Sequence, residues 1–201
     1  HDAFEYHPRH EDLFGDVRFG EPDTLFEDEG TRGEISRRYG STVSERWEKR
    51  NMVKSLQDPT YPNGTEDFSG LDFDNRARKA YQRYMRDYLR TVGGIDENAG
   101  RLLDFLDASG LAANTLVIYT SDQGMMLGEH DKIDKRWIFD ESQRMPFVAR
   151  YPREIPAGLT CNDLVDNVDF APTLLDFAGA AAPRAMQGRS FRSLLKAGEA
   201  P

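Results

Sequence analysis

The sequence predicts an α/β fold, and three stretches carry that reading. From Asn75 to Leu106, apolar residues recur at steps of three and four: Ala77, Ala80-Tyr81, Tyr84, Tyr88-Leu89, Val92, Ile95, Ala99, Leu102-Leu103 and Leu106. One apolar stripe of that length marks a long helix. Leu116 to Tyr119 is a short apolar, β-rich run and reads as a buried parallel strand. Beyond it come a strand at Pro146–Tyr151, another at Leu164–Val168, and a helix at Phe170–Phe177. Asp169 caps that helix, with Pro172 in its first turn and Gly179 at its end. A long helix feeding a buried strand is one half of an α/β unit.

Taken in order, His1 to Asp28 is rich in charge, proline and aromatics without a sustained period, and reads as an irregular surface excursion. His1, His7 and His10 fall there as solvated side chains, because no cysteine or regular histidine spacing accompanies them for a transition-metal site. Gly30 to Asn75 is weakly periodic. A helix is expected within Ser44–Leu56, and Asp58-Pro59, Tyr61-Pro62 and Asn63-Gly64 mark turns. Residues 1–74 thus form an irregular insert region ahead of an α/β core at 75–201. On the long helix, Arg76, Arg78, Lys79, Arg83, Arg86 and Arg90 lie mostly opposite the apolar stripe and read as a solvated face. Gly93-Gly94 weakens the helix by about 1 kcal/mol per glycine relative to alanine, which predicts a kink or a close backbone contact. Ser109-Gly110 ends the helix.

At the C-terminal end of the Leu116–Tyr119 strand stands Thr120-Ser121-Asp122-Gln123-Gly124. In open α/β sheets ligands bind at that edge, where the loops leaving the strands converge. Asp122 and Gln123 offer two adjacent oxygen donors, the ligand type a hard cation such as Ca²⁺ takes. Gly124 lets the backbone turn without a Cβ clash. A polar turn capping the next segment explains those three residues equally well. The continuation separates the two readings. Gly128-Glu129-His130, then Asp134-Lys135-Arg136-Trp137, then Glu141-Ser142-Gln143-Arg144-Met145-Pro146-Phe147 resemble the sulfatase family of the alkaline phosphatase superfamily. The subgroup they are most similar to is that of bacterial glycan sulfatases of the N-acetylglucosamine-6-sulfatase type.

The resemblance implies an alkaline-phosphatase-like sandwich with a largely parallel central sheet flanked by helices. It implies a Ca²⁺-dependent sulfuric ester hydrolase of a sulfated carbohydrate, with a formylglycine as nucleophile. Asp122 and Gln123 match Ca²⁺ ligands, and Lys135 matches the lysine that contacts the sulfate and the leaving oxygen, with Lys132 as rival. His1 matches a histidine that contacts the ester. His130 is open between lining the pocket and holding its loop by hydrogen bonds. Arg136 is open between meeting a sugar and pairing with Glu141. Glu129 and Asp140 read as structural, and Gln187-Gly188-Arg189-Ser190 resembles the family's closing Gly-Arg-Ser segment. Cys161 lacks the Cys-x-Pro-x-Arg context of a formylglycine precursor and reads as an ordinary residue. The match covers the middle of a sulfatase. Two further Asp ligands, the formylglycine motif and the smaller C-terminal subdomain are expected outside these 201 residues, which alone are expected to bind Ca²⁺ weakly and to hydrolyse no ester. The family implies a periplasmic or secreted location.

Composition sets outer bounds. The length of 201 residues fits one domain. A net charge of -9 argues against nucleic acid as the partner. An acidic protein acting on an anionic ester must focus positive charge locally. No apolar run approaches the roughly 20 residues of a membrane span. Two other readings stay open: a phosphodiester or phosphonate ester hydrolase of the same superfamily, and a non-catalytic α/β binding module using the arginine-rich helix.

Overall fold

The structure, a computed structural model, describes residues 3–197, so His1 lies outside the described residues. Its elements are α1 (Glu34–Arg38), β1 (Ser41–Thr42), α2 (Met52–Gln57), α3 (Phe73–Ala108), β2 (Val117–Thr120), β3 (Met126–Leu127), β4 (Lys132–Asp134), α4 (Asp140–Gln143), β5 (Phe147–Arg150), α5 (Asn167–Phe177) and α6 (Arg192–Ala197). The chain divides into two compact units: His1–Arg101 with Gln123–Met145, and Leu102–Asp122 with Pro146–Pro201.

The first unit is built on α3, which appears where its apolar stripe put it and extends two residues further at each end. Ala80, Tyr81 and Tyr84 of α3 pack with Leu25, Val43, Met52, Val53, Leu56, Tyr61, Phe68 and Ile133. Most of that core therefore comes from the segment read as an irregular insert. Its apolar residues are spread over turns and short helices, so burial leaves no period in the sequence. The helix expected within Ser44–Leu56 forms only as α2, capped by the Asn51 side chain, which accepts from the Lys54 amide at 2.8 Å. Ser44 is held elsewhere, because both its amide and its hydroxyl donate to Asp131.

The basic residues of α3 are anchors and not a solvated face. Arg76 pairs with Glu45, Arg78 with Glu21, Lys79 with Glu66, and Arg83 with Glu66 and Asp87. Arg86 and Arg90 donate to the carbonyls of Phe14 and Leu13. The helix runs continuously through Gly93-Gly94, and the close contact is realised: a Cβ on Gly93 would stand 3.1 Å from Leu13 Cδ1, and one on Gly94 would touch the His10 ring. His10 is accordingly buried, in contrast to its sequence reading.

β4 is the middle strand of an antiparallel sheet in the order β1-β4-β3, with Thr42 opposite Lys132, Ser41 opposite Ile133 and Leu127 opposite Ile133. Both faces of β4 are covered. Ile133 joins the apolar core, and its neighbour Lys132 is buried on the other face, as strand alternation requires.

In the second unit β2 starts one residue later than expected and pairs antiparallel with β5, Val117 opposite Arg150 and Thr120 opposite Phe147. Tyr119 is 43% exposed, so β2 is not the fully buried strand its apolar run suggested. Both sheets of the described residues are antiparallel. A parallel neighbour needs a crossover, usually a helix, whereas the segment between β2 and β5 carries only the four-residue α4 as helix of the α type. The strand expected at Leu164–Val168 is absent. Leu164 is fully exposed, and Asp166 and Asp169 form a reciprocal capping box that starts α5 at Asn167. Pro172 sits inside α5 and cannot donate to the Val168 carbonyl. Gly188 packs against that carbonyl, where a Cβ would collide. Phe191, Leu194 and Leu195 form a small core with Phe147, Phe170 and Phe177 around it. Phe147, Phe170 and Phe191 meet edge to face at 5.5 to 5.6 Å. No helix of the described residues is long and apolar enough to cross a membrane.

Candidate active site

Asp122 closes the segment that follows β2, and Gln123 opens the return to the first unit. Asp122, Gln123 and Lys135 each engage neighbouring groups. Gly124 serves by close approach and not by turning. Its amide donates to the Ser142 carbonyl at 2.8 Å, and a Cβ there would collide with the Glu141 and Arg144 carbonyls. This clamp fixes the residue after Gln123 onto α4, the helix of the Glu141-Ser142 stretch.

The loop from Gly128 to Lys135 is the most strained backbone of the described residues. Gly128 has φ 103°, and three residues with side chains also occupy the left-handed region: His130 at 58°, Asp131 at 57° and Asp134 at 77°. Such conformations cost on the order of 1–3 kcal/mol each and persist where surroundings over-determine them. The surroundings are visible here. Asp131 is fully buried and accepts from the Ser44 amide at 2.8 Å and the Ser44 hydroxyl at 2.5 Å. The Arg46 guanidinium lies 3.9 Å from the same carboxylate. Burial pushes the Asp131 carboxyl up to about 6, against the opposing pull of the Ser44 hydrogen bonds.

Lys132 is 1% exposed, 3.6 Å from Glu29, and its ammonium lies 5.5 Å from the Trp137 ring centroid. Burial lowers its pKa, and Glu29 works against that shift. Trp137 in turn covers Gly40, where a Cβ would strike the indole. His130 stacks on Phe139 with centroids 4.4 Å apart, and its amide donates to the Thr24 hydroxyl. Burial and the Arg32 guanidinium lower the His130 pKa. His130 Nδ1 lies 2.8 Å from the Arg32 guanidinium and 2.7 Å from the Glu27 carboxylate, and its Nε2 lies 4.0 Å from Glu141. Arg32 also meets Glu27 and Glu29. Arg32, Arg46 and Lys132 thus face Glu27, Glu29 and Asp131 in one charge cluster, whose buried members are Lys132 and Asp131.

Of the candidates, then, His130 and the rival Lys132 belong to this cluster, and Lys132 is one of its buried members. Arg136 is exposed and pairs with Asp134 at 3.0 Å instead of Glu141. Glu129 is structural as expected, accepting from the Leu127 amide at 2.6 Å. Cys161 is exposed and free. Sequence reasoning missed Glu27, Glu29, Arg32, Ser44 and Asp131, because their partners lie up to 103 positions away. The consecutive left-handed residues after Gly128 left no compositional trace.

For a metal, the donor chemistry of Asp122 and Gln123 suits a hard cation, being one carboxylate and one amide oxygen. Ca²⁺ takes about 6–8 oxygens, and no group of three or more His, Cys, Asp or Glu able to hold an ion occurs among the described residues. The two residues fit as part of a ligand set.

Comparison with known proteins follows this geometry. The family described as N-sulphoglucosamine sulphohydrolase, C-terminal, matches residues 128–200, the strained loop and most of the second unit. The chain is 38% identical over 218 aligned residues to an N-acetylglucosamine-6-O-sulfatase of Bacteroides thetaiotaomicron, covering 94% of this chain and 39% of that protein. It is 40% identical over 108 residues to an extracellular sulfatase SULF-1 homolog of Drosophila melanogaster, 53% of this chain and 10% of that one. Among solved structures it resembles BT4656 in complex with its substrate D-glucosamine-2-N,6-O-disulfate. That match has a TM-score of 0.82 and 36% identity, over 98% of this chain and 46% of the other. The chain spans less than half the length of these relatives.

Proposed function

We propose, because this chain belongs to the sulfatase family, that it carries part of the centre of a sulfuric ester hydrolase acting on 6-O-sulfated glucosamine in a glycan. The observation that carries this reading is the agreement with BT4656 over 98% of the chain, that relative being solved with a disulfated glucosamine as its substrate. The alkaline-phosphatase-like sandwich with a largely parallel sheet is part of the same proposal, as is a periplasmic or secreted location, supported by the extracellular relative.

Cleaving a sulfate ester means attacking a sulfur shielded by anionic oxygens, so positive charge must face those oxygens. A bound Ca²⁺ supplies that charge, and a formylglycine nucleophile is expected from outside these residues. Asp122 and Gln123 hold the ion, and the neutral amide of Gln123 keeps the ligand set from repelling the sulfate. The Lys135 ammonium binds a sulfate oxygen and gives its proton to the bridging oxygen as the alcohol leaves. The hydrogen bonds of His130 to Arg32 and Thr24 support the role of loop anchor for that residue. The exposure of Arg136 supports a sugar contact.

In the full-length protein, Asp122→Ala is expected to abolish turnover of glucosamine 6-sulfate together with calorimetric Ca²⁺ binding. Lys135→Ala is expected to lower turnover by about 10²–10⁴-fold, the usual scale for a general acid, while Ca²⁺ affinity stays at the wild-type value. Wild-type turnover in Asp122→Ala, or loss of Ca²⁺ binding in Lys135→Ala, would show the site to be misplaced.

A further inference from the structure

Two adjoining clefts run along the outer side of α3. One of about 360 Å³ is lined by Arg18, Arg78, Lys79 and Arg86, and a second of about 230 Å³ by Tyr6, Arg83, Arg86 and Arg90. They share Arg86 and Gly15. From Arg78 to Arg90 the helix rises about 18 Å, at 1.5 Å per residue. Six cations line the pair of clefts, against Glu11, Asp16 and Glu21, in a protein whose net charge is -9.

Most of these cations are spoken for. Arg18 and Arg78 reach Glu21, Lys79 reaches Glu66, and Arg83 reaches Glu66 and Asp87 behind the groove. Arg86 and Arg90 differ. Arg86 donates to the Phe14 carbonyl at 3.3 Å. Arg90, 8% exposed, donates to the Leu13 carbonyl and the Tyr6 hydroxyl and lies 4.9 Å from the Tyr6 ring centroid. All those partners are neutral. A largely desolvated guanidinium with only neutral partners strengthens attraction for an anion arriving in the cleft.

We propose that this groove binds the anionic groups of a sulfated polysaccharide. The ligand class rests on the sulfatase reading above; the anion site rests on the groove itself. Sulfate and carboxylate oxygens would take paired N–H donors from Arg86, with Arg90 as the fixed charge at the floor.

The test is calorimetric titration of the intact protein with a size-defined sulfated hexasaccharide, its desulfated counterpart, inorganic sulfate, and duplex DNA of matched charge. Arg86→Ala should weaken the sulfated hexasaccharide by about tenfold or more, since it removes the paired charged donors. Arg86→Glu should weaken it further, and Arg101→Ala should leave it unchanged. Circular dichroism should show all variants folded, since Arg86 lies outside the core. Equal binding by wild type and Arg86→Glu would overturn the proposal, as would equal binding of the desulfated hexasaccharide. Sulfate alone binding as tightly as the hexasaccharide would reduce the groove to a single-oxyanion site, and DNA binding as tightly would make it a generic polyanion surface; either overturns the saccharide assignment. Failure of the catalytic reading is distinct, because it appears as absent hydrolysis of glucosamine 6-sulfate by wild type with Arg86-dependent binding intact.

Discussion

Asp131 in the first unit and Asp176 in the second each accept from a serine hydroxyl, at 2.5 Å from Ser44 and 2.6 Å from Ser190. Each also has an arginine nearby, Arg46 for Asp131 and Arg192 for Asp176. Their carboxyls nevertheless move in opposite directions. Burial raises Asp131 to about 6, whereas the Ser190 and Arg192 hydrogen bonds hold Asp176 below the ordinary range. The difference is solvent: the Asp131 side chain is fully buried, and that of Asp176 is 44% exposed. The same partners therefore build two kinds of structure. In the first unit ions are interior parts that hold a strained loop. In the second they decorate a small aromatic core.

The sharpest way to break this comparison is Asp131→Ala. It orphans two Ser44 donors, takes the carboxylate away from Arg46 and leaves the buried Lys132 with Glu29 alone, so a loss of about 3–5 kcal/mol is expected in urea denaturation. A loss below 1 kcal/mol would mean that the ionic interior is dispensable. In the second unit the corresponding blow is apolar. Phe191→Ala removes the ring shared by Phe147 and Phe170 and is expected to cost about 3 kcal/mol, at the low end for a core phenylalanine because a small cluster can relax.

The pH dependence has a definite sign. The folded-state pKa of Asp131 lies above its unfolded value of 3.8, so the native state holds a proton there that the unfolded chain has released. Its contribution is most favourable below about pH 4 and declines as pH rises towards 6. Asp131→Asn is expected to remove that decline, seen as a flatter urea midpoint between pH 4 and pH 7. Asp176 has the opposite sign: its contribution is present above the unfolded value and lost as pH falls below it. The smallest expected effect is Asp176→Asn at pH 7, within about 0.5 kcal/mol, because solvent screens a half-exposed pair. A larger loss would mean that surface ions matter as much to the second unit as interior ions do to the first.

What was legible followed locality. The α3 stripe, β5 and the structural part played by Glu129 depend on neighbours a few residues away, and they appear as read. The helix inside Ser44–Leu56 shrank because Ser44 answers to Asp131, 87 positions on. The strand at Leu164–Val168 gave way to the Asp166–Asp169 capping box, a local signal whose true start lay three residues before the one chosen. The arginines of α3 looked solvated because their carbonyl and carboxylate partners come from loops without period.

By itself the sequence determined the α/β character, the long helix and the family, since periodicity and an ordered motif survive in one dimension. Only the tertiary structure decided that Leu25, Val43 and Phe68 form a core, that β2 pairs antiparallel with β5, and that Lys132 and Asp131 are interior ions. Burial and ionic balance are sums over groups brought together from distant positions, and no stretch of chain contains both halves of such a sum.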